Sequence, residues 1–232
     1  MTILCIETST SVCSAAICKD GVLSKQCINY EGSNHARLLP LYIDELLAFA
    51  REQNLSIDAV ALSEGPGSYT GLRIGCSTAK GLCYGLNVPL IPVPTLSVLC
   101  EAAKQKLYTV HHTPYTLIPM IDARRMEVYT AINGETQAIV VENEQSILPP
   151  SLLGEGRGEA VYYFGDGAEK CQHVFTRSNW HYLPAIVPEA KYVGLLADKG
   201  EQKSVSGEQI AYYEPFYLKE FVAAQSHVKG LR

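Results

Sequence analysis

Between residues 63 and 85 the chain reads SEGPGSYTGLRIGCSTAKGLCYG, a glycine-rich turn opening into a helix. Gly67, Gly71, Gly75, Ala79 and Cys83 recur every four residues, which sets small side chains along one helical face. Interior glycine costs about 0.8–1 kcal/mol relative to alanine, so Gly71, Gly75 and Gly81 together give up roughly 3 kcal/mol of helix preference. Solubility does not compensate for that loss, whereas close approach of another backbone does. Two surfaces can supply it: the chain's own sheet, or a second protein.

The rest of the sequence supports a large apolar core. Of 232 residues, 47% are hydrophobic and 19% charged, enough for one large domain or two ordinary ones. Net charge is −5, which gives no bulk electrostatic case for nucleic-acid binding. The opening MTILCIETST has no basic leader, and no apolar run approaches a membrane span. Eight cysteines without a C-x-x-C pair sit mostly in apolar patterns, as reduced core thiols do, and lack the spacing of zinc ligands. A cytoplasmic protein without a metal site is expected.

Periodicity gives a β-β-β-α-β-α-β-α order for the first part of the chain. Strands are expected over 2–7, 12–19 and 22–29, the last two joined by Asp20-Gly21, a hairpin-turn signal. A helix over 34–53 follows, with Ser33 or Asn34 as N-cap and Pro40 as a kink or true start. Its apolar arc is too wide for a helix lying on a sheet with water on its other side. A strand over 58–62, the small-residue helix, a strand over 90–93 and a helix over 95–106 complete the unit. After His111 three strands recur (115–121, 127–133, 137–141, with a turn at Asn133-Gly134), then strands near 161–164 and 185–187 and short helices near 144–153, 168–173 and 189–199. Residues 154–158 read as loop, and the tail from Ser226 is polar. A unit repeated at half the chain length implies two similar α/β lobes, 1–106 and 107–232, facing each other across a cleft. The C-terminal segment is free to pack back on the first lobe.

ILCIETST, SEGPGSYTGLRIGCSTAKGL, IDARRMEVY and FGDGA, in that order and spacing, resemble the TsaB (YeaZ) family over essentially the whole chain. The resemblance implies an actin-like, sugar-kinase-like double domain. It also implies an accessory subunit in tRNA threonylcarbamoyladenosine synthesis. In that pathway TsaB pairs with TsaD, which transfers threonylcarbamoyl to adenosine-37 of ANN-decoding tRNAs, and with the small ATPase TsaE. Contact with tRNA is then indirect, through the complex, and ATP or ADP belongs to the complex rather than to this chain.

The actin-like class holds ATP with two glycine-containing hairpins and an adenosine loop, because backbone N–H groups must reach the phosphates. In the first hairpin Thr8, Ser9 and Thr10 offer hydroxyls to a phosphate, or cap the strand end. Ser9 stands where the class has glycine. The second, Asp122-Ala123-Arg124-Arg125, has no glycine, and its arginines suit either an anion or a surface turn. Gly165, Asp166 and Gly167 keep the pattern of an adenosine loop, or form a plain strand-to-helix turn. TsaD carries a metal-binding His-x-x-x-His; aligned through Ala79–Leu82, Thr95 and Leu99 take its place, and leucine ligates nothing. Ser63, Ser68 and Cys76 lack a base, and the histidines do not rebuild a site: His35 opens the first helix as a cap or contact, His111 and His112 fall at the lobe junction, and His173, His181 and His227 are scattered. No catalytic residue is assigned.

A docking surface is the remaining expectation. The resemblance suggests that the two helices meet the equivalent pair of TsaD, or of a second copy, as a four-helix interface. Leu39, Tyr42, Ile43 and Leu46 would supply one half, and Tyr69, Leu72, Gly75, Cys76, Ala79 and Tyr84 the other, with Arg73 and Lys80 at the rim. One side of each helix must face its own sheet, so some of these residues can be core instead. Competing readings are a free-standing actin-like ATPase or kinase and a purely structural homodimer.

Overall fold

A computed structural model describes residues 1–32, 34–108, 115–132, 135–148 and 160–219. The expected turn at Asn133-Gly134, the Ser33 cap, His111, His112, loop 154–158 and the tail from Ser226 lie outside those residues. The first sheet has the order β3-β2-β1-β4-β5, built from β1 (Thr2–Glu7), β2 (Cys13–Lys19), β3 (Val22–Asn29), β4 (Ala59–Gly65) and β5 (Leu90–Pro94). β1 runs antiparallel to β2 and parallel to β4. Asp20 and Gly21 both take positive φ (50° and 73°), which makes the β2–β3 connection a left-handed two-residue turn.

β1 is buried along its whole length because both sheet faces are covered. Its even residues Leu4 and Ile6 enter a core with α1 (His35–Glu52) and α2 (Tyr69–Leu86). Its odd residues Ile3 and Cys5 enter another with α3 (Thr95–Leu107) and α4 (Ala190–Asp198). α1 runs unbroken through Pro40, so that proline marks neither its start nor its end.

The second lobe repeats the first. β6 (Tyr115–Pro119) and β7 (Ile121–Asp122) continue one line, interrupted at Met120. β6 pairs parallel with β10 (Ala160–Phe164), which pairs parallel with β11 (Trp180–Leu183); β7 pairs antiparallel with β8 (Glu127–Ile132), and β8 with β9 (Glu135–Val140). The resulting order β9-β8-β7/β6-β10-β11 matches that of the first sheet, so the chain has the two-lobed actin-like α/β architecture. Where the first lobe has α2, the second has only a short 3₁₀ turn, Glu169–Cys171, and Glu144–Ser146 is another such turn.

Sequence expectation placed the last strand at 185–187, but the strand is Trp180–Leu183. Ala185 takes φ 58° between Pro184 and Pro188, which ends the extended run that Ile186 and Val187 suggest. α4 follows β11 in sequence yet packs on β1, β2 and β3 of the first sheet. The Ala190 N–H donates to Ser14 Oγ at 2.9 Å, and Lys191 N–H to Gln26 Oε1 at 3.1 Å. Gly194 makes this seating possible, because a Cβ there would stand 2.4 Å from Cys18 Sγ. Last among the described residues comes α5 (Gln209–Tyr212), beside α2.

Candidate functional site

A cleft of about 750 Å³ lies between the lobes. Ser9–Ser11 and the start of α2 form one wall, the β7–β8 turn and Asp166 the other, and Phe216–Lys219 a third. The question for this cleft is whether its donors are free to meet a phosphate.

In the first hairpin the Thr8 hydroxyl and both donors of Ser9 are committed. The Ser9 N–H and hydroxyl both donate to Glu7 Oε1 at 2.6 Å. Thr8 Oγ1 donates to the Gly71 carbonyl at 2.8 Å, Thr10 Oγ1 accepts the Val12 N–H at 3.4 Å, and Ser68 N–H donates to the Ser9 carbonyl at 2.6 Å. His35 does not cap its helix; its buried ring Nε2–H donates to the Thr10 carbonyl at 2.8 Å. All three hydroxyl residues are buried, Thr8 beneath the glycines of α2.

Glu7 anchors this cluster and is itself inaccessible, at 0% exposure, with Oε2 lacking a hydrogen-bond partner among the described residues. Burial pushes its carboxyl above the ordinary range, and the hydroxyls of Ser63 and Ser9 take back part of that rise. A carboxyl raised in the folded state costs nothing below its unfolded pKa, progressively more as pH climbs from that value to the folded one, and a constant amount above it. Glu7→Gln keeps the bonds of Oε1 and removes the charge. Its stability relative to the parent is expected to rise between about pH 5 and pH 7.5, since only the parent carries the growing cost of the buried charge; thermal melts at both pH values measure this.

The second hairpin is closed by its own acids. Asp166 Oδ1 accepts the Asp122 N–H at 2.9 Å, and Asp122 Oδ1 accepts the Arg124 N–H at 3.0 Å and an ion pair from Lys170. Arg124 and Arg125 take φ 69° and 53°, so the left-handed turn survives without its glycines, at a conformational cost of about 1 kcal/mol or more per residue. Gly165 and Gly167 serve packing: a Cβ on the first would stand 2.1 Å from the Met120 carbonyl oxygen, and on the second 2.8 Å from the Ile121 carbonyl carbon. The strand-to-turn segment therefore lies directly on the β6–β7 break.

A triphosphate needs exposed N–H groups in both hairpins. Here the Ser9, Asp122 and Arg124 amides already face the chain's own carboxylates, so none of these three is open to a phosphate. Thr95 and Leu99, in the place of the metal-binding pair, are interior: Thr95 Oγ1 accepts the Gly65 N–H at 3.1 Å and bonds Ser63 Oγ at 2.8 Å, and Leu99 is core. No cluster of three or more His, Cys, Asp or Glu at metal-binding distances occurs among the described residues. Cys76 is buried, and burial holds its thiol above the ordinary range, away from thiolate.

The docking expectation needs correction. Leu39, Ile43, Leu46, Leu72, Gly75, Cys76 and Ala79 are buried inside this chain, most of them between the helices and the first sheet. The glycine stripe faces β1 and the β1–β2 turn: a Cβ on Gly67 would lie 2.3 Å from the Ser9 carbonyl oxygen, on Gly71 2.0 Å from that of Thr8, and on Gly75 2.3 Å from Thr8 Oγ1. Tyr42 is half-buried against the same core. Arg73 is exposed and stacks over Tyr69, 5.4 Å from the ring, while Lys80 Nζ donates to the Ala211 carbonyl at 2.9 Å.

What α1 and α2 turn outward is a different set. Tyr84 is 91% exposed and Leu41 59%, and Ser77, Gly81 and Gly85 are exposed, with open space beside both glycines. Ser77, Gly81 and Gly85 form a second stripe at four-residue spacing, visible in the sequence but masked by the denser one opposite. The acid capping of the second hairpin and the cleft wall formed by Phe216–Lys219 carried no local sequence signal.

A family model described as "TsaD: tRNA N6-adenosine threonylcarbamoyltransferase" matches residues 29–225. Among curated proteins, the chain is 30% identical to a tRNA threonylcarbamoyladenosine biosynthesis protein TsaB of Haemophilus influenzae, over 96% of this chain and 95% of that one. It is 32% identical to the Escherichia coli protein of the same name, over 96% of each. Among solved structures, YeaZ from Pseudomonas aeruginosa superposes with a TM-score of 0.66 at 26% identity, over 94% of this chain and 99% of that one. With the duplicated sheet and near full-length coverage in agreement, the chain belongs to the TsaB (YeaZ) family.

Proposed function

We propose that this chain serves tRNA threonylcarbamoyladenosine biosynthesis as a non-catalytic subunit that pairs with TsaD, helps recruit TsaE, and holds TsaD in its active form. The observation that supports this most directly is the internal commitment of donors in both phosphate hairpins, the Ser9 amide in the first and the Asp122 and Arg124 amides in the second. In this reading ATP or ADP belongs to the complex, and tRNA is met through TsaD. Docking uses the outward side of α2, around Ser77, Gly81 and Tyr84, with Leu41 of α1. Self-association through the same face accounts for a homodimer in isolation.

Reconstitution tests the reading. Threonylcarbamoyl transfer by TsaD and TsaE should depend on adding this chain, and full transfer without it refutes the role. Nucleotide turnover by the purified chain at ordinary enzyme rates refutes the non-catalytic assignment. Gly81→Leu places its side chain in open space, and leucine is the better helix former, so the free chain should melt no lower than the parent while TsaD capture falls about ten-fold or more. Undiminished capture removes the α2 face from the docking surface.

A further inference from the structure

Beyond α5 the chain crosses from one lobe to the other. On the first lobe the Phe216 N–H donates to the Glu64 carbonyl at 2.8 Å, and the Tyr213 hydroxyl to Glu64 Oε2 at 3.2 Å. The rings of Tyr217 and Tyr69 lie 5.1 Å apart. Gly65 is the seat of this crossing: its φ is 118°, and a Cβ there would stand 2.5 Å from the Phe216 carbonyl oxygen. Three residues further on, Lys219 forms an ion pair with Glu127 of β8, and its ammonium sits 5.8 Å from the centre of the Tyr129 ring.

The two ends are fastened differently. The first-lobe end has a backbone hydrogen bond and a desolvated Tyr213–Glu64 pair, in which burial and the neighbouring carboxylate push the phenol upward. The second-lobe end rests on a partly exposed ion pair, which water and salt weaken. At the back of the cleft α3 and α4 share one core with residues of both sheets, so the lobes are joined there independently. We infer that residues 213–219 are a latch: a strap seated on Gly65 that closes one side of the interlobe cleft and opens by release of Lys219 from Glu127 and Tyr129.

Hydrogen exchange on the full chain tests this, with no partner needed. Lys219→Ala should raise exchange about ten-fold over 213–219 and over the 122–127 turn, while β1 and α2 keep their protection, and Lys219→Arg should restore the wild-type pattern. Access to the cleft is read by alkylation of a cysteine placed by Ala123→Cys, with the parent chain as background. Lys219→Ala should speed that alkylation about ten-fold. Unchanged exchange in the strap, unchanged alkylation, or a uniform loss of protection across both lobes would each overturn the latch.

Discussion

Gly71→Ala should destabilise the chain by about 3–5 kcal/mol, although alanine is the better helix former by about 1 kcal/mol. The added methyl would stand 2.0 Å from the carbonyl oxygen of Thr8, a buried backbone atom just past the end of β1 that has little room to swing aside. α2 would have to lift from the β1–β2 turn. Lifting breaks the Thr8 Oγ1 bond to the Gly71 carbonyl and the Ser68 N–H bond to the Ser9 carbonyl, both buried or close-packed. Overpacking costs about 1–3 kcal/mol and each stranded polar group about as much again. For a chain of this size the loss corresponds to roughly 6–20 °C in melting temperature. Gly81→Ala, ten residues along the same helix with nothing near its Cβ, should instead gain about 1 kcal/mol. Opposite signs from the same substitution in one helix, measured by calorimetry, distinguish packing from propensity. A Gly71→Ala protein as stable as the wild type would show that the stripe does not bear on β1.

The duplicated architecture was legible because strands announce themselves locally. Alternation along β1, Asp20-Gly21 at the hairpin and the restart after the lobe junction all follow from short-range chemistry. The glycine stripe was legible as a demand for close approach, but small residues state only that a backbone is near, not whose it is. α1 shows the same ambiguity. Its apolar arc is wide because it touches the sheet and α2 together, with Leu38, Tyr42, Leu47 and Phe49 partly covered in that shared core. Isolation on a sheet was the wrong reference, so the excess width needed no external partner to explain it. The left-handed turn at Arg124-Arg125 was hidden because arginine has no local preference for positive φ. The Asp166 bond to the Asp122 amide spans 44 residues of sequence, and Lys219 reaches Glu127 across 92. Pairings of that range leave no periodic trace, and they decide whether the cleft has donors to offer.

Leu39→Ala is the sharper test of where the helices face, with an expected loss of about 2–5 kcal/mol in the isolated chain. Leu39 is 0% exposed and lies in one core with Leu46, Ile43 and Cys76. Removing three of its carbons forfeits their transfer energy and leaves a cavity that the sheet beneath, held by ladders on both sides of β1, is poorly able to fill. Leu41, two residues on and 59% exposed, should change stability by no more than about 0.5 kcal/mol when cut to alanine. Urea unfolding should therefore move the midpoint for Leu39→Ala alone, with the slope unchanged, since the surface exposed on unfolding is nearly the same. Were Leu39 a contact for TsaD, the two variants would unfold alike and differ only in capture. If instead α1 presents its outer side to the partner, capture should weaken for Leu41→Ala at constant stability, and the two substitutions separate folding from docking on a single helix.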